Sequence, residues 1–261
     1  MSRWLVLDIG NTHTVAGLCE ITGQREQKIL SRVRFRTDPH ATSDEYYAQL
    51  KQLLKEDSLW KSLERIIISN VVPSLERTVK QALHPIPCLL IKADTRREFE
   101  LDLPFPDQLG ADRLANVTGT LCLARPPFLI VDAGTATTFC LIDERPAHKA
   151  AYIGGAIVPG LEIGWKALQT RAAKLFSVEL NRPSSSIGTT TETQLQSGVL
   201  LGYESLIEAM TDRLLEDWKK HHEVSLFATG GCLSLLKLSK RFRIEPDLTL
   251  LGLIRYGHLT Q

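Results

Sequence analysis

Asp8-Ile9-Gly10-Asn11-Thr12 and Asp132-Ala133-Gly134-Thr135-Ala136-Thr137 carry one pattern: an aspartate, a glycine two residues later, then hydroxyl or amide side chains. Each copy directly follows an apolar run, Trp4 to Leu7 or Phe128 to Val131, that reads as a buried strand. Beyond each copy, Val15 to Ile21 and Thr138 to Ile142 read as strands returning in a hairpin. Asp-x-Gly between two strands is by itself an ordinary turn signal. Its recurrence in equivalent contexts points to a duplicated phosphate loop, with two halves of the chain facing one nucleotide. Gly10 and Gly134 permit positive φ and the close approach of a ligand. The amides that follow, with the side chains of Asn11, Thr12, Thr135 and Thr137, are donors for phosphate oxygens. Asp8 and Asp132 supply anionic oxygen where a phosphate site needs a cation.

At 261 residues the chain holds one large or two ordinary domains, and the duplicated motif favours two, expected at 1–115 and 116–261. A net charge of +1 gives no electrostatic support to a nucleic-acid partner. The apolar run before Asp8 is too short for a signal-peptide core and no later stretch approaches a membrane span. A cytoplasmic protein with no membrane partner is therefore expected. Cys19, Cys88, Cys122, Cys140 and Cys232 form an odd, dispersed set, which fits reduced thiols buried in elements better than a disulfide frame or a zinc site. His221 and His222, among Lys219, Lys220 and Glu223, read as a solvated helix end.

Outward from the first motif, Ile29 to Phe35 alternates as a third strand. A helix follows, capped by Thr42 or Ser43 and running through Tyr46, Leu50, Leu53 and Leu54. Next come a strand from Arg65 to Ser69, a helix opening at Pro73, and a short strand from Cys88 to Ile91. The order is three strands, helix, strand, helix, strand. A helix from Asp107 to Pro126 leads into the second motif. The second half repeats the plan: strands at Phe128, Phe139 and Ala151, helical segments at Leu161 to Phe176 and Glu192 to Trp218, a strand from Val224 to Ala228 and a helix after Gly231. The last segment, Leu248 to Leu259, reads as a helix. Asn181 to Thr191, rich in hydroxyls, reads equally as a surface linker or a binding loop.

Gly110-Ala111-Asp112-Arg113 opens the helix before the second motif. An acid beside a base on a helix is usually a solvated ion pair of under about 1 kcal/mol. Its position at the junction of the halves and at a helix start gives it another use. Asp112 could take a proton from an attacking hydroxyl, and Arg113 could hold a substrate carboxylate through two parallel bonds. Gly154-Gly155-Ala156 at a strand end reads as turn and packing residues or as a ligand approach. Thr229-Gly230-Gly231 suits either an adenosine wall or a tight strand-to-helix turn.

The order and spacing of these motifs, with Leu195-Gln196-Ser197-Gly198 between the last two, resemble type III pantothenate kinases along essentially the whole chain. That family lies in the acetate kinase, sugar kinase, Hsp70 and actin superfamily. The resemblance implies an α/β protein of two duplicated ribonuclease H-like (actin-like ATPase) domains with a nucleotide cleft between them. It implies ATP-dependent phosphorylation of pantothenate to 4'-phosphopantothenate, the entry step of coenzyme A synthesis, and a homodimer. By position, Asp8, Ile9, Gly10, Asn11, Thr12, His13, Thr14 and Val15 resemble the ATP phosphate loop, with Asp8 near Mg2+, and Thr135 a second nucleotide contact. Asp112 stands in the place of the general base. Gly110, Ala111, Asp112, Arg113 and Thr191 match acceptor contacts, with Arg113 toward the pantothenate carboxylate. Asp132 matches the acid that holds a monovalent cation, K+ or NH4+. Two motifs depart from the family pattern. Gly188-Thr189-Thr190-Thr191 replaces a common Gly-Lys-Asn-Thr, and Leu103 stands where many members have tyrosine. Another phosphotransferase of the superfamily, or a regulatory protein on the same fold, is the alternative.

Overall fold

The computed structural model describes residues 2–23, 27–54, 60, 62–171, 178–219 and 224–260. Expectations for His221, His222 and the stretch from 172 to 176 lie outside these residues. The chain forms two compact units, one of residues 1–123 with 247–261, the other of residues 124–246.

Unit 1 opens with strands β1 (Ser2–Ile9), β2 (His13–Ile21) and β3 (Gln27–Arg36). It continues through helix α1 (Ser43–Leu54), strand β4 (Leu63–Asn70), helix α2 (Leu75–Ala82) and strands β5 (Cys88–Leu90) and β6 (Phe99–Leu101). The sheet order is β3-β2-β1-β4-β5. β1 is antiparallel to β2 and parallel to β4, so it lies at the centre. That position explains its sequence: Trp4 to Leu7 are all buried, as a strand covered on both faces requires. β3 alternates along its length because it lies at the sheet edge, with only every second side chain toward the core. Leu5, Leu7 and Ile9 of β1 pack with Phe35, Tyr46, Leu50, Leu75 and Val79 in one core cluster.

Unit 2 repeats the scheme. Strands β7 (Phe128–Ala133), β8 (Ala136–Arg145) and β9 (Lys149–Pro159) lead to helix α4 (Leu161–Arg171), numbered after α3 (Ala111–Leu121). Helices α5 (Thr191–Gln196) and α6 (Gly202–Trp218), joined by a π-helical turn at Ser197–Leu201, precede strands β10 (Ser225–Thr229) and β11 (Phe242–Ile244). The equivalent strands lie in the order β9-β8-β7-β10-β11. β7 is antiparallel to β8 and parallel to β10, as β1 is to β2 and β4. The duplication read from the two motifs is therefore a duplication of topology.

Three expectations need correction. A cut at 115/116 falls inside α3, which belongs whole to unit 1. The final helix α7 (Leu248–Leu259) belongs there too, because its apolar surface is buried against α3 and β1. Leu250 lies 3.2 Å from where a Cβ on Gly17 would stand, and the Arg65 guanidinium donates to Gly257 O at 2.7 Å. Gly231 opens a single 3-10 turn, Gly231–Leu235, rather than a longer helix. Cys232 within that turn and Leu236 just after it join the unit 2 core, and the chain then runs out to pair Phe242 at the sheet edge. None of the five thiols is in a disulfide, but Cys122 is exposed rather than buried in an element. Among the described residues, no helix is long and apolar enough to cross a membrane.

Candidate active site

The first loop connects β1 to β2. Asp8, half-buried, lies opposite Val15 on one side and Ser69 on the other. The Gly10 amide closes the turn on His13 O at 3.1 Å. A Cβ at Gly10 would stand 2.9 Å from that oxygen, so glycine is needed for close approach. Neither Gly10 nor Gly134 uses the positive φ expected of them, which among the described glycines is confined to Gly154 and Gly230. Asn11 is exposed and Thr12 half-buried, whereas Thr14 is fully buried with its hydroxyl 2.9 Å from that of Thr37. The hydroxyl of Thr14 is thus spent inside the fold, and Val15 is a strand residue of β2. His13 Nδ1 lies 2.9 Å from the Arg34 guanidinium, which can only donate, so Nδ1 accepts and Nε2 keeps the proton.

The second loop is one residue tighter, with the Gly134 amide closing on Ala136 O at 3.2 Å. Asp132 is half-buried, Thr135 exposed, and Thr137 fully buried with its hydroxyl on that of Tyr203. Thr137 is therefore not the phosphate donor its position suggested. Behind the loop, Gly230 has φ of 106° and a Cβ there would stand 2.6 Å from the Ala133 backbone. A tight turn is the observed reason for that glycine. Gly155 has a packing reason, since a Cβ would collide with Phe139 O.

The Gly110–Arg113 segment lies in unit 1 with the first loop. Gly110 caps α3 without a side chain, and Asp112 in the first helical turn accepts from the Arg113 amide at 2.8 Å through Oδ1. That same Oδ1 occupies the place a Cβ on Gly110 would take. The glycine two residues before the aspartate is thus what lets the carboxylate fold back over the helix start. Burial raises the Asp112 pKa above its ordinary value, opposed by the Arg113 amide and by the Arg113 charge. Val71 joins this segment to the first loop: its amide donates to Ile9 O at 3.0 Å, and its Cγ1 lies 3.7 Å from the Cβ position of Gly110. The structure brings these two motifs, 100 residues apart in sequence, to the same end of β1 and β4.

Thr191 is exposed at the first position of α5, where Thr190 and Thr193 form a reciprocal capping box. The hydroxyl-rich loop before it is tied down rather than loose: Ser197 Oγ donates to Ser186 O at 2.6 Å and Gln194 Nε2 to Gly188 O at 3.3 Å. Among the described residues, no three His, Cys, Asp or Glu side chains gather into a metal site. Asp8 and Asp132 each bring one half-buried carboxylate to the end of a strand at the edge of its loop.

A sequence profile of the type III pantothenate kinase family matches residues 4–213. A type III pantothenate kinase of Bacillus cytotoxicus is 37% identical over 255 residues, covering 95% of this chain and 93% of that protein. Among solved structures, MreB 5 of Spiroplasma citri, bound to AMPPNP, is similar at a TM-score of 0.54 and 10% identity over 97% of this chain and 95% of that one. Ethanolamine utilization protein EutJ from Carboxydothermus hydrogenoformans is similar at 0.52 and 13% identity, over 98% and 90%. These two likenesses show an actin-like fold. The family profile and the 37% identity to a relative matched over nearly its whole length show that the chain belongs to the type III pantothenate kinase family.

Proposed function

We propose that Asp112 is the general base, Arg113 the acceptor clamp, and the Asp8 and Asp132 loops the phosphate cradles of this enzyme. As a type III pantothenate kinase it carries out the ATP-dependent phosphorylation of pantothenate, the first step of coenzyme A biosynthesis. The observation that carries the residue assignment is the bridge through Val71, which holds the start of α3 beside the first loop. Phosphoryl transfer leaves the protein little covalent work, so positioning and charge decide the rate.

In this reading Asp112 Oδ1 is fixed by the Arg113 amide and Oδ2 takes the proton of the primary hydroxyl of pantothenate. The hydroxyl oxygen then bonds to the γ-phosphorus of ATP as the bond to the β-phosphate oxygen breaks, releasing ADP. Arg113 grips the pantothenate carboxylate, with Ala111 and Thr191 as further acceptor contacts. The amides after Gly10 and Gly134, with Asn11, Thr12, His13 and Thr135, donate to the phosphates. Thr14, whose hydroxyl is held by Thr37, and Val15 shape the first loop from within. Asp8 would hold Mg2+ and Asp132 a K+ or NH4+ ion, which supply positive charge against the polyphosphate. We further propose a cytoplasmic homodimer, which sedimentation of the purified protein tests directly.

The deciding assay is phosphorylation of pantothenate by purified enzyme, with parent and Asp112→Asn in parallel. Activity of the parent and its collapse in a folded variant are expected. Undiminished turnover by the variant would remove Asp112 from the chemistry.

A further inference from the structure

Thr137 closes the second phosphate loop, yet its side chain faces inward, fully buried, onto the Tyr203 hydroxyl. Tyr203, in the first turn of α6, packs within the unit 2 core, and its hydroxyl also reaches Pro159 O at 3.3 Å. A phenol has one proton. Donated to Pro159 O, it leaves the phenolic oxygen to accept from Thr137. Pro159 precedes Gly160, whose amide donates to Thr135 O at 3.1 Å, and a Cβ on Gly160 would collide with Gly134 O and Thr135 O. The phenol therefore joins the loop's outgoing strand to the end of β9 that underlies its tip. The next residue, Glu204, accepts from both terminal guanidinium nitrogens of Arg182 at 2.6 and 3.0 Å, so the same helical turn also anchors the hydroxyl-rich loop.

We propose that Tyr203 is a positioning residue for phosphoryl transfer: its hydroxyl, through Thr137 and Pro159, sets Gly134 and Thr135 for the ATP phosphates. This rests on reading the second loop as a nucleotide contact. Tyr203 touches no ligand in this account. Its effect is to hold donor amides where they meet phosphate without rearrangement. Burial raises the phenol pKa, which keeps the proton on Tyr203 through the working pH range.

Tyr203→Phe removes one oxygen and leaves the ring in the core. Its KM for ATP should rise about tenfold, the usual worth of one buried hydrogen bond with a partner left unpaired. The KM for pantothenate at saturating ATP should stay within about twofold. Thr137→Val should raise the KM for ATP in the same direction but by no more than Tyr203→Phe, because the bond to Pro159 survives; Thr137→Ser should restore the parent value, and the double variant Tyr203→Phe/Thr137→Val should be no worse than Tyr203→Phe alone. A purely structural role would instead lower the melting temperature and leave the KM for ATP unchanged, and that result overturns the proposal. Gly134→Val separates the two levels. If it leaves ATP affinity unchanged in a folded protein, the loop reading fails and the proposal with it. If it weakens ATP binding while Tyr203→Phe and Thr137→Val do not, only the role of Tyr203 is lost.

Discussion

Gly119 of α3 and Gly252 of α7 meet backbone to backbone: a Cβ on Gly119 would stand 3.1 Å from Gly252 N, and one on Gly252 3.0 Å from Gly119 N. The crossing fixes α3, and α3 carries Asp112 at its first turn. Thr249 Oγ1 donates to Asn116 Oδ1 at 2.7 Å in the same contact. The helix α7 is thus a brace for α3 and the Asp112 segment at its start, which accounts for its place in unit 1.

Gly252→Ala weighs two effects against each other. Alanine favours a helix over glycine by roughly 1 kcal/mol. Here its Cβ would collide with Ala115 O, and backbone cannot yield as a flexible side chain can. Overpacking of this kind destabilises by about 1–3 kcal/mol or more, so the clash should win. The expected melting temperature is lower by roughly 3–10 °C. An unchanged or raised melting temperature would show that the helices part without cost.

How much of this was legible depends on the range of the cause. The strands around each motif were legible because Trp4 to Leu7 and Phe128 to Val131 are buried on both faces, which leaves an unbroken apolar run. α7 was legible from its length and its high apolar content, with Leu248, Leu250, Leu253, Ile254 and Tyr256 all buried. Its allegiance was not, since no local property of Leu248 to Leu259 says which unit it packs on. The signal was there in another form, glycines at 119, 252 and 257 inside helices that otherwise have no use for them. β6 and β11 are three residues each, too short for any periodicity. At the candidate site, residue types and spacing located the loops and the Asp112 segment. They could not distinguish the inward hydroxyls of Thr14 and Thr137 from the exposed Thr135, because a threonine in a loop reads alike whichever way it faces.

Asp112→Asn should separate catalysis from stability. The amide keeps an oxygen for the Arg113 N–H but cannot accept a proton, so turnover should fall by a factor on the order of 10² to 10⁴. Because burial raises the Asp112 pKa in the folded state, the native protein holds this proton more tightly than the unfolded chain does. Ionisation of Asp112 then destabilises. Stability from this group is present below its ordinary value and falls as pH rises toward the raised one. The variant should lose that slope and melt no lower than the parent at neutral pH. In the parent, the acidic limb of kcat should lie above the ordinary aspartate range. A variant that melts far below the parent would mark Asp112 as a structural partner of Arg113.

Asp132 offers one half-buried carboxylate at the end of β7, opposite Thr138 and Thr229. If it holds a monovalent cation, activity at matched ionic strength should be high in potassium or ammonium and low in sodium or lithium. Asp132→Asn should be nearly inactive in all four, with Tm measured in each salt to confirm folding. Equal rates in sodium and potassium would argue that the carboxylate serves the loop and not an ion.

Arg113 sits one residue from Asp112 in the first turn of α3, and its backbone amide donates to the Asp112 carboxylate at 2.8 Å. A general effect on the helix start and a specific grip on the acceptor predict different kinetics. Arg113→Lys keeps the positive charge, and with it the electrostatic support of Asp112, but loses the planar pair of donors that matches a carboxylate. If Arg113 binds pantothenate, its KM should rise by about 10- to 100-fold, with kcat and the KM for ATP changed by less than about threefold. If Arg113 instead serves mainly to tune Asp112, lysine should preserve the pantothenate KM and shift the acidic limb of kcat. Steady-state kinetics against both substrates, run across pH, tells these apart, and an unchanged pantothenate KM would remove Arg113 from the acceptor site.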